Sequence, residues 1–363
     1  MWGRSRRLVL KGVVLVVIVV LGVGALAGLA VFQESGSHAL EAPTSVDHVF
    51  LILLENKDYD VTFGTNTPAP FLGRTLVGEG RLLTQYHGIG HRSLVNYIAL
   101  VSGQPPNAAT RENCEGFVDF RNATVADGIM HGDGCVYPTS IPTIGEQLEA
   151  AGKSWRMYGE DMANAEPSRC RHPTVGQADP WQKGNAHDQY ATKHIPFVYF
   201  HTVIDDAARC RDHVVDLDHL KDDLKSSQTT PNYAFISPDL CSDGHDEPCF
   251  DGRPGGYASI EAFLSEWIPR IRDSPAYREG GLIVVTFDES EEVADPPGGR
   301  IGAILLSPCI PGGTRDEARY DHYGLLGTVE DVFGLRRLGL ASGTDVRPLD
   351  LGPCNPNTPG QPI

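Results

Sequence analysis

The sequence predicts an α/β fold: a doubly wound, mostly parallel sheet with helices on both faces, in a single large extracytoplasmic domain. Several short runs are apolar throughout rather than alternating, as expected of parallel strands that are buried on both faces. Helical patterns separate these runs, and alternation of strands and helices is typical of doubly wound sheets. Eight cysteines follow an apolar N-terminal segment, which indicates an oxidising compartment.

The strands are assigned to short apolar segments without helical periodicity. In chain order they are His48–Leu54, Trp155–Tyr158, Asn232–Ser237, Gly281–Phe287 and Gly302–Ser307. The helices are assigned to segments with apolar residues at helical spacing, which are Ser93–Ser102, Thr143–Ala151, Tyr257–Arg272 and Tyr323–Phe333. Because helices connect successive strands, we expect the strands to pair in parallel.

The N-terminus predicts a membrane-targeting segment. Four basic residues within the first eleven precede residues 12–32, a run that contains no charged residue. At about 1.5 Å per residue, a helix over this run would span roughly 30 Å, the thickness of a bilayer's hydrocarbon core. The positive flank places everything after Phe32 outside the cytoplasm. Residues 1–32 are therefore either an uncleaved signal-anchor, which the length favours, or a signal peptide, which the small residues between 25 and 30 would allow.

The remaining chain predicts one folded unit. We expect a polar linker over residues 33–45, a domain over residues 46–352 and a Pro/Gly-rich tail over residues 353–363. The chain of 363 residues is 41% hydrophobic and 21% charged, an ordinary globular composition. Its formal net charge of −17 argues against a nucleic-acid partner, since no basic surface for phosphates is evident.

The even number of cysteines predicts four disulfides. Sequential pairing is the simplest arrangement that eight cysteines allow, and it gives Cys114–Cys135, Cys170–Cys210, Cys241–Cys249 and Cys309–Cys354. A zinc–thiolate site is the alternative, but no Cys-x2-Cys spacing occurs in the sequence.

Polar side chains directly follow three predicted strands. Glu55-Asn56 follows the first, Asp239–Asp246 follows the third and Asp288-Glu289 follows the fourth. Ligands bind at the carboxyl ends of strands in open sheets, so we expect these groups at one rim. Crowded carboxylates repel one another unless a cation compensates them. Oxygen ligands from Glu55, Asn56, Asp288 and Glu289 therefore predict one divalent cation, with Ca²⁺, Mg²⁺ or Mn²⁺ favoured.

Two further segments carry candidate catalytic groups. Ser93 follows a glycine-containing turn at the start of a predicted helix, where N–H groups and the helix dipole favour a phosphate. A serine hydroxyl that also touches a metal ion becomes a nucleophile near neutral pH. His91 lies two residues before Ser93. His322 directly precedes the last predicted helix and could bind a substrate oxygen or protonate a leaving group.

Each of these segments also has a purely structural interpretation. Ser93 alone is more typical of a helix N-cap than of a nucleophile. Glu55-Asn56 could form a turn, and Asp288-Glu289 alone is more typical of a solvated loop. The coincidence of these groups at strand ends and helix starts is what favours a functional site.

Six stretches, in order along the chain, resemble the bacterial phosphoesterase family that includes secreted acid phosphatases and non-zinc phospholipases C. This family is a branch of the alkaline-phosphatase-like superfamily. The stretches are His48–Asn56, His91–Gly103, Lys193–Phe200, Asp239–Asp246, Val284–Glu289 and Asp321–Asp331. Arg92 and Val95 stand where the family motif has prolines, and Phe287 stands where it has tryptophan, so the pocket departs from the pattern.

The resemblance implies a role for each matching polar residue. The implied catalytic residues are Ser93, His245 and His322; the implied metal ligands are Glu55, Asn56, Asp288 and Glu289; the predicted substrate contacts are His91, Asn56, Asp243 and Asp246. In the implied mechanism Ser93 attacks phosphorus in line and forms a phosphoseryl intermediate. Water then hydrolyses it while the metal and histidines stabilise the charged oxygens.

Three functions follow as hypotheses. The favoured one is a metal-dependent acid phosphatase acting on phosphomonoesters, with phosphoinositides among the candidate substrates. A phospholipase C-type phosphodiesterase is the second, and a non-catalytic, secreted, metal-stabilised binding protein is the third.

The expected partners are a small phosphorylated substrate or a phospholipid head group, and the membrane through the N-terminal segment. We expect the domain outside the cytoplasm, anchored by residues 12–32 or secreted after cleavage.

Overall fold

The computed structural model describes residues 45–291 and 296–354. The strands are β1 His48–Leu54, β2 Arg81–His87, β3 Arg121–Ala126, β4 Ile129–Asp133, β5 Trp155–Gly159, β6 Val214–Asp216, β7 Tyr233–Ser237, β8 Gly281–Phe287, β9 Ala303–Leu306 and β10 Thr314–Asp321. The helices are α1 Tyr59–Thr62, α2 Val77–Glu79, α3 Ser93–Ser102, α4 Ile144–Ala150, α5 His201–Ile204, α6 Ala207–His213, α7 His219–Asp223, α8 Gly256–Asp273, α9 Pro275–Gly280 and α10 His322–Val332. Shorter turns of 3-10 helix include Thr192–His194 and Pro196–Tyr199, and Phe71–Leu76 forms a π-helical turn.

Eight of these strands form one sheet in the order β10-β2-β9-β8-β1-β7-β5-β6. β1 pairs in parallel with β7 and β8, β5 pairs in parallel with β6 and β7, and β10 pairs in parallel with β2. β9 runs antiparallel to both of its neighbours, β2 and β8. The prediction of a mostly parallel α/β sheet is therefore confirmed. β3 and β4 form a separate antiparallel hairpin.

The centre of the sheet explains the continuous apolar runs in the sequence. Every residue of β1 and of β8 is buried. A strand buried at every position must be covered on both faces, because successive side chains point to opposite faces. All five predicted strands are present, and the four predicted helices correspond to α3, α4, α8 and α10 with ends that agree within one residue.

Three of the strands that the sequence analysis missed, β3, β6 and β10, lack this pattern. β10 lies at an edge of the sheet, and Tyr320 is its one buried residue. β3 is exposed along its whole length. β6 is short and lies at the other edge of the sheet. A strand with one solvated face or edge does not need a continuous apolar run. A search for such runs therefore does not detect it.

The four predicted disulfides are confirmed. Cys114 is bonded to Cys135, Cys170 to Cys210, Cys241 to Cys249 and Cys309 to Cys354. No cysteine is left as a thiol, since all eight lie within the described residues. The pairing rules out the alternative of a zinc–thiolate cluster.

The predicted targeting segment of residues 1–32, nearly all of the linker and the tail beyond Cys354 lie outside the described residues. Within residues 45–291 and 296–354, no helix is long and apolar enough to span a bilayer. The prediction of an anchor or signal peptide therefore stays a prediction.

Glu330, in α10, gives the fold a pH dependence. Its side chain is fully buried, and Oε1 accepts a hydrogen bond of 2.8 Å from the backbone N–H of Leu338. Burial raises the pKa of Glu330 from the ordinary 4.5 to about 8. The folded state therefore binds a proton more tightly than the unfolded state. The resulting stabilisation is complete below pH 4.5 and is lost as the pH rises through about 8.

We expect the substitution Glu330→Gln to flatten this pH dependence. The glutamine keeps an oxygen for the N–H of Leu338 but cannot ionise, so it avoids the cost of a buried charge at high pH. Between about pH 5 and about pH 9, the free energy of unfolding should fall less in the variant than in the wild type, by up to a few kcal/mol. Thermal or urea unfolding across this range measures the difference. The exposed Glu317→Gln should follow the wild type, and equal slopes for all three proteins would contradict the prediction.

Candidate active site

Neighbouring strand ends bring most of the predicted polar residues together. β1 leads into Glu55 and Asn56, β8 leads into Asp288 and Glu289, and β7 leads into the loop of residues 238–246. These three strands are adjacent and parallel, so their carboxyl ends lie side by side. Backbone hydrogen bonds tie the ends together: the N–H of Glu55 donates to the carbonyl of Asp243, and that of Asp288 donates to Leu54.

Ser93 is part of this rim. It is the first residue of α3, and the N-cap residue is Arg92, so Ser93 is not the cap that one interpretation of the sequence suggested. Its buried hydroxyl donates a hydrogen bond of 2.7 Å to Glu55 Oε2. This contact joins the start of α3 to the end of β1. The hydroxyl therefore lies against a carboxylate that was predicted independently as a metal ligand.

Asn56 connects the two predicted ligand pairs. Its backbone N–H donates to Asp288 Oδ1, and its side-chain Nδ2 donates to Glu289 Oε1, both at 3.1 Å. The φ angle of Asn56 is 40°, a left-handed conformation that asparagine adopts more readily than most residues. This conformation lets the backbone and the side chain of one residue bind two carboxylates that follow a different strand.

Glu289 also fixes the segment before Ser93. His91 Nδ1 donates to Glu289 Oε2 at 2.6 Å, and the backbone N–H of Arg92 donates to both carboxylate oxygens, at 3.0 and 3.2 Å. The φ angle of Arg92 is 83°, which is strained for a residue with a Cβ. The bonds from Arg92 to Glu289 stabilise this strained turn, which directs Ser93 toward Glu55.

A histidine to which the sequence analysis gave no role lies at the centre of the site. His194, from the turn Thr192–His194, is 1% exposed and stacks on Tyr97 with the two rings 3° from parallel. Its Nε2 lies 3.2 Å from Glu55 Oε1, and its Nδ1 lies 3.1 Å from Asp243 Oδ2. These four atoms all lack a hydrogen-bond partner among the described residues. The two contacts are therefore close in distance but do not have the angle of a hydrogen bond.

The carboxylates of this site perturb one another strongly. Burial alone would raise the pKa of Glu55, but the charges of His194, His245 and Lys193 together outweigh burial and hold that pKa at about 2. Burial raises the pKa of Asp243 to about 6. Burial and the charge of Glu55 raise the pKa of Glu289 to about 8 and that of Asp288 well above its ordinary range. The group is therefore poorly compensated by the protein itself.

These features fit a bound cation. Glu55, His194 and Asp243 each offer a buried ligand atom, and the three atoms lie within 4.8 Å of one another. Asp288 Oδ2 is also buried without a hydrogen-bond partner among the described residues. Buried oxygens without partners beside carboxylates of raised pKa are the signature of a site that a cation completes. The chain thus has a candidate metal site, and the identity of the ion stays a prediction.

His322 contacts the backbone of Asp288 and is fully buried. Its Nε2 donates to the backbone carbonyl of Asp288 at 2.6 Å, so its Nδ1 accepts from the hydroxyl of Tyr86 at 3.0 Å. Burial lowers the pKa of His322 to about 4. With both ring nitrogens engaged in this way, the geometry favours a positioning role for His322 over the predicted contact with a leaving oxygen.

His245 and Asp246 lie in the loop that follows β7, directly after Asp243 and Gly244. The backbone N–H of His245 donates to Asp243 Oδ1 at 2.8 Å, and its Nδ1 donates to Asp246 Oδ1 at 2.7 Å. Its Nε2 lies 3.4 Å from Nζ of Lys193. The His245 and His194 rings meet edge to face, with centroids 6.2 Å apart. All of the predicted site residues therefore belong to one connected group.

Sequence reasoning missed His194, Lys193 and Tyr86. The stretch that contains Lys193 and His194 was noted for its resemblance, but it belongs to a short 3-10 turn between β5 and β6. The rule that found the other groups searches the ends of apolar strands, and this turn does not end one. Two adjacent basic residues before an apolar segment were the available signal.

Comparison with known proteins identifies a family and several relatives of this chain. The model of the Phosphoesterase family matches residues 67–336. The chain is 29% identical over 267 residues to the phosphate-repressible acid phosphatase of Penicillium chrysogenum, an alignment that covers 73% of this chain and 54% of that protein. It is 25% identical over 332 residues to a phosphatidylinositol-3-phosphatase of Mycobacterium tuberculosis, with 90% of each chain covered. The chain spans between 54% and 65% of the length of fungal acid phosphatases that it resembles.

A solved structure supports the fold. A protein in the alkaline phosphatase superfamily from Vibrio parahaemolyticus superimposes with a TM-score of 0.50, at 11% identity, over 81% of this chain and 68% of that chain. At this level of identity the likeness concerns the fold alone. It confirms the expectation of an alkaline-phosphatase-like fold.

Proposed function

Because the chain belongs to the Phosphoesterase family, we propose that it is a metal-dependent phosphatase that hydrolyses phosphomonoesters through Ser93. The observation that carries this proposal is the hydrogen bond of 2.7 Å from the Ser93 hydroxyl to Glu55, within the candidate metal site. A serine used as a cap would bond to the first turn of its own helix instead. The names of the fungal and mycobacterial relatives support a phosphatase.

In the proposed reaction, Ser93 Oγ attacks phosphorus in line and the bond from phosphorus to the leaving oxygen breaks. The hydroxyl proton passes along the hydrogen bond to Glu55, and the leaving oxygen takes up a proton from solvent; in the second step Glu55 returns its proton to the serine oxygen while the attacking water gives one proton to solvent. Water then attacks the phosphoserine, releases inorganic phosphate and restores the hydroxyl. A divalent cation held by Glu55, Asp243, His194 and Asp288 would neutralise charge on the phosphoryl oxygens.

The neighbouring residues act by holding this arrangement. Asn56 binds both Asp288 and Glu289, and His91 and the backbone of Arg92 bind Glu289. His322 orients the backbone of Asp288 from behind. The nucleophile and the ligands are therefore fixed before substrate arrives, which is the condition for electrostatic stabilisation of a transition state.

Phosphoinositides are the substrate class that we favour. The mycobacterial relative is named a phosphatidylinositol-3-phosphatase and is covered to 90% of its length.

Four disulfides support a compartment outside the cytoplasm, and the anchor or signal peptide of residues 1–32 remains a prediction.

Hydrolysis of p-nitrophenyl phosphate, compared with bis(p-nitrophenyl) phosphate, tests the proposal. We expect the purified protein to cleave the monoester, to lose activity with a chelator and to regain it when a divalent cation is restored. A preference for the diester would support the phospholipase C-type alternative. If the metal-bound protein hydrolyses neither ester, the result would support the alternative of a non-catalytic binding protein. Release of inorganic phosphate from phosphatidylinositol 3-phosphate in mixed micelles then tests the substrate class.

A further inference from the structure

Lys193 is a buried cation that the protein compensates poorly. Lys193 is 6% exposed, and among the described residues its Nζ makes one hydrogen bond, to His245 Nε2. Among the described residues, no carboxylate oxygen lies within 4.0 Å of Nζ, the limit for an ion pair. An ammonium group has three N–H donors, so part of its hydrogen-bonding capacity is unused. The negative charges of Glu55 and Asp179 act on Lys193 without direct contact. A buried ammonium with unused N–H donors is still costly, which points to an anionic ligand.

The contrast with Lys57 shows that a buried lysine in this region can be satisfied by the protein. Nζ of Lys57 donates to the carbonyls of Asn56 and Gly244, at 3.0 and 3.1 Å. It also lies 5.4 Å from the centre of the Tyr257 ring, which is a cation–π contact. Lys57 therefore has a structural explanation that Lys193 lacks.

The direction of the hydrogen bonds shows what holds the ammonium of Lys193. The carboxylate of Asp246 can only accept, so His245 Nδ1 donates to it. The ammonium can only donate, so His245 Nε2 accepts from Lys193. Asp246 thus fixes the tautomer of His245, and that tautomer in turn orients the ammonium. In this arrangement His245 has no proton on Nε2 to transfer to a leaving group.

Lys193 is also close enough to the candidate active site to act there. It is adjacent in the chain to His194, whose ring lies between Glu55 and Asp243. The positive charge of Lys193 is among the causes that lower the pKa of Glu55, after burial and the two histidines. The chain has a formal net charge of −17, so attraction of an anionic substrate must come from local cations of this kind.

We propose that Lys193 binds a non-bridging oxygen of the substrate's phosphoryl group, and that His245 and Asp246 position its ammonium for this contact. The inference rests on the proposed function, since it assigns the anion to the same site. It makes Lys193 a substrate-binding residue and gives His245, predicted as a catalytic residue, a positioning role instead.

Binding of inorganic phosphate to the full-length protein, measured by calorimetry, tests the role of Lys193. We expect the substitution Lys193→Met to raise the dissociation constant by about 10- to 100-fold, the loss of one charge-assisted hydrogen bond. The thermal midpoint without phosphate should not fall, because the substitution removes a poorly compensated buried charge. Lys221→Met, which removes an exposed lysine paired with Asp218, is the control and should leave phosphate affinity unchanged.

The positioning role of His245 has its own test. A glutamine side chain carries an oxygen that can accept from Lys193, whereas a leucine side chain offers no acceptor, so His245→Gln and His245→Leu form a matched pair. We expect phosphate affinity and KM to be largely retained in the glutamine variant and weakened several-fold in the leucine variant, with a smaller change in kcat. Equal effects of the two substitutions would contradict the positioning role.

The outcomes separate this inference from the proposed function. Phosphate binding is measured with Ser93→Ala as well, so it does not depend on turnover. A wild type that binds phosphate through Lys193 but cleaves no ester would overturn the proposed function and retain only the assignment of Lys193 as a phosphate-binding residue. Unchanged affinity in Lys193→Met, with or without a lower thermal midpoint, would overturn the inference. A wild type that binds no phosphate would overturn it as well.

Discussion

Replacement of Ser93 by alanine should lower kcat for a phosphomonoester by about 10⁴-fold or more, since the variant has no nucleophile to form the phosphoserine. The fold should be retained. Ser93 is not the cap of α3, and its hydroxyl makes one described hydrogen bond, to Glu55. KM or phosphate affinity should change much less than kcat, because the groups that bind the phosphoryl oxygens remain in place.

Ser102→Ala is the matched control for this substitution. Ser102 is the last residue of the same helix, is equally buried and donates its hydroxyl hydrogen bond to the carbonyl of Ile98. We expect near wild-type turnover from it. Mass spectrometry of a rapidly quenched reaction should detect a phosphorylated peptide containing Ser93 in the wild type and not in the alanine variant. Comparable turnover of Ser93→Ala and wild type would exclude Ser93 as the nucleophile.

The parts of the fold that were predictable are those that burial dictates. β1 and β8 are buried on both faces, and their sequences are apolar at nearly every position, so periodicity alone identifies them. β10 is an edge strand with charged side chains at most positions, and its pairing with β2 depends on long-range contacts that one sequence does not reveal. The centre of the sheet was therefore predictable, whereas its edge strands β6 and β10, and β2 beside β10, were not.

The candidate site divides in the same way. Glu55, Asn56, Asp288 and Glu289 were found because the residues after central strands converge at one rim. His194 was not, because a 3-10 turn brings it in from outside that series of strands and a stack on Tyr97 fixes its ring. The contacts of His322 were unpredictable for a different reason. Its position at the start of α10 was evident from sequence within one residue, but the direction of its two ring nitrogens depends on the hydroxyl of Tyr86, from a strand that was not predicted.

Replacement of Asp288 by asparagine should abolish the response of the protein to divalent cations. The substitution is nearly isosteric, its side-chain oxygen can still accept from the N–H of Asn56, and His322 binds the backbone rather than the side chain. What is lost is one negative charge beside Glu55 and Glu289. That charge is costly without a cation, as the raised pKa of Asp288 from burial and these two neighbours indicates, and favourable with one.

Two measurements check this expectation. In the wild type, added Mg²⁺, Mn²⁺ or Ca²⁺ should raise the thermal midpoint and a chelator should lower it, since an ion that binds the folded state stabilises it by about 2.7 kcal/mol at 100 times its dissociation constant. The Asp288→Asn variant should show neither change and should lose about 10³-fold or more in turnover, the several kcal/mol that a metal ion contributes to charge stabilisation.

Asp316→Asn provides the comparison, because Asp316 accepts a backbone and a tyrosine hydrogen bond in β10 and is not part of the candidate site. It should retain the thermal response to cations even if its midpoint is lower. Elemental analysis of the wild type and both variants gives the occupancy directly. If Asp288→Asn binds the ion with wild-type stoichiometry and responds to it as the wild type does, Asp288 is not a ligand. The cation would then have to lie nearer Glu55, His194 and Asp243, whose buried ligand atoms converge without the help of Asp288.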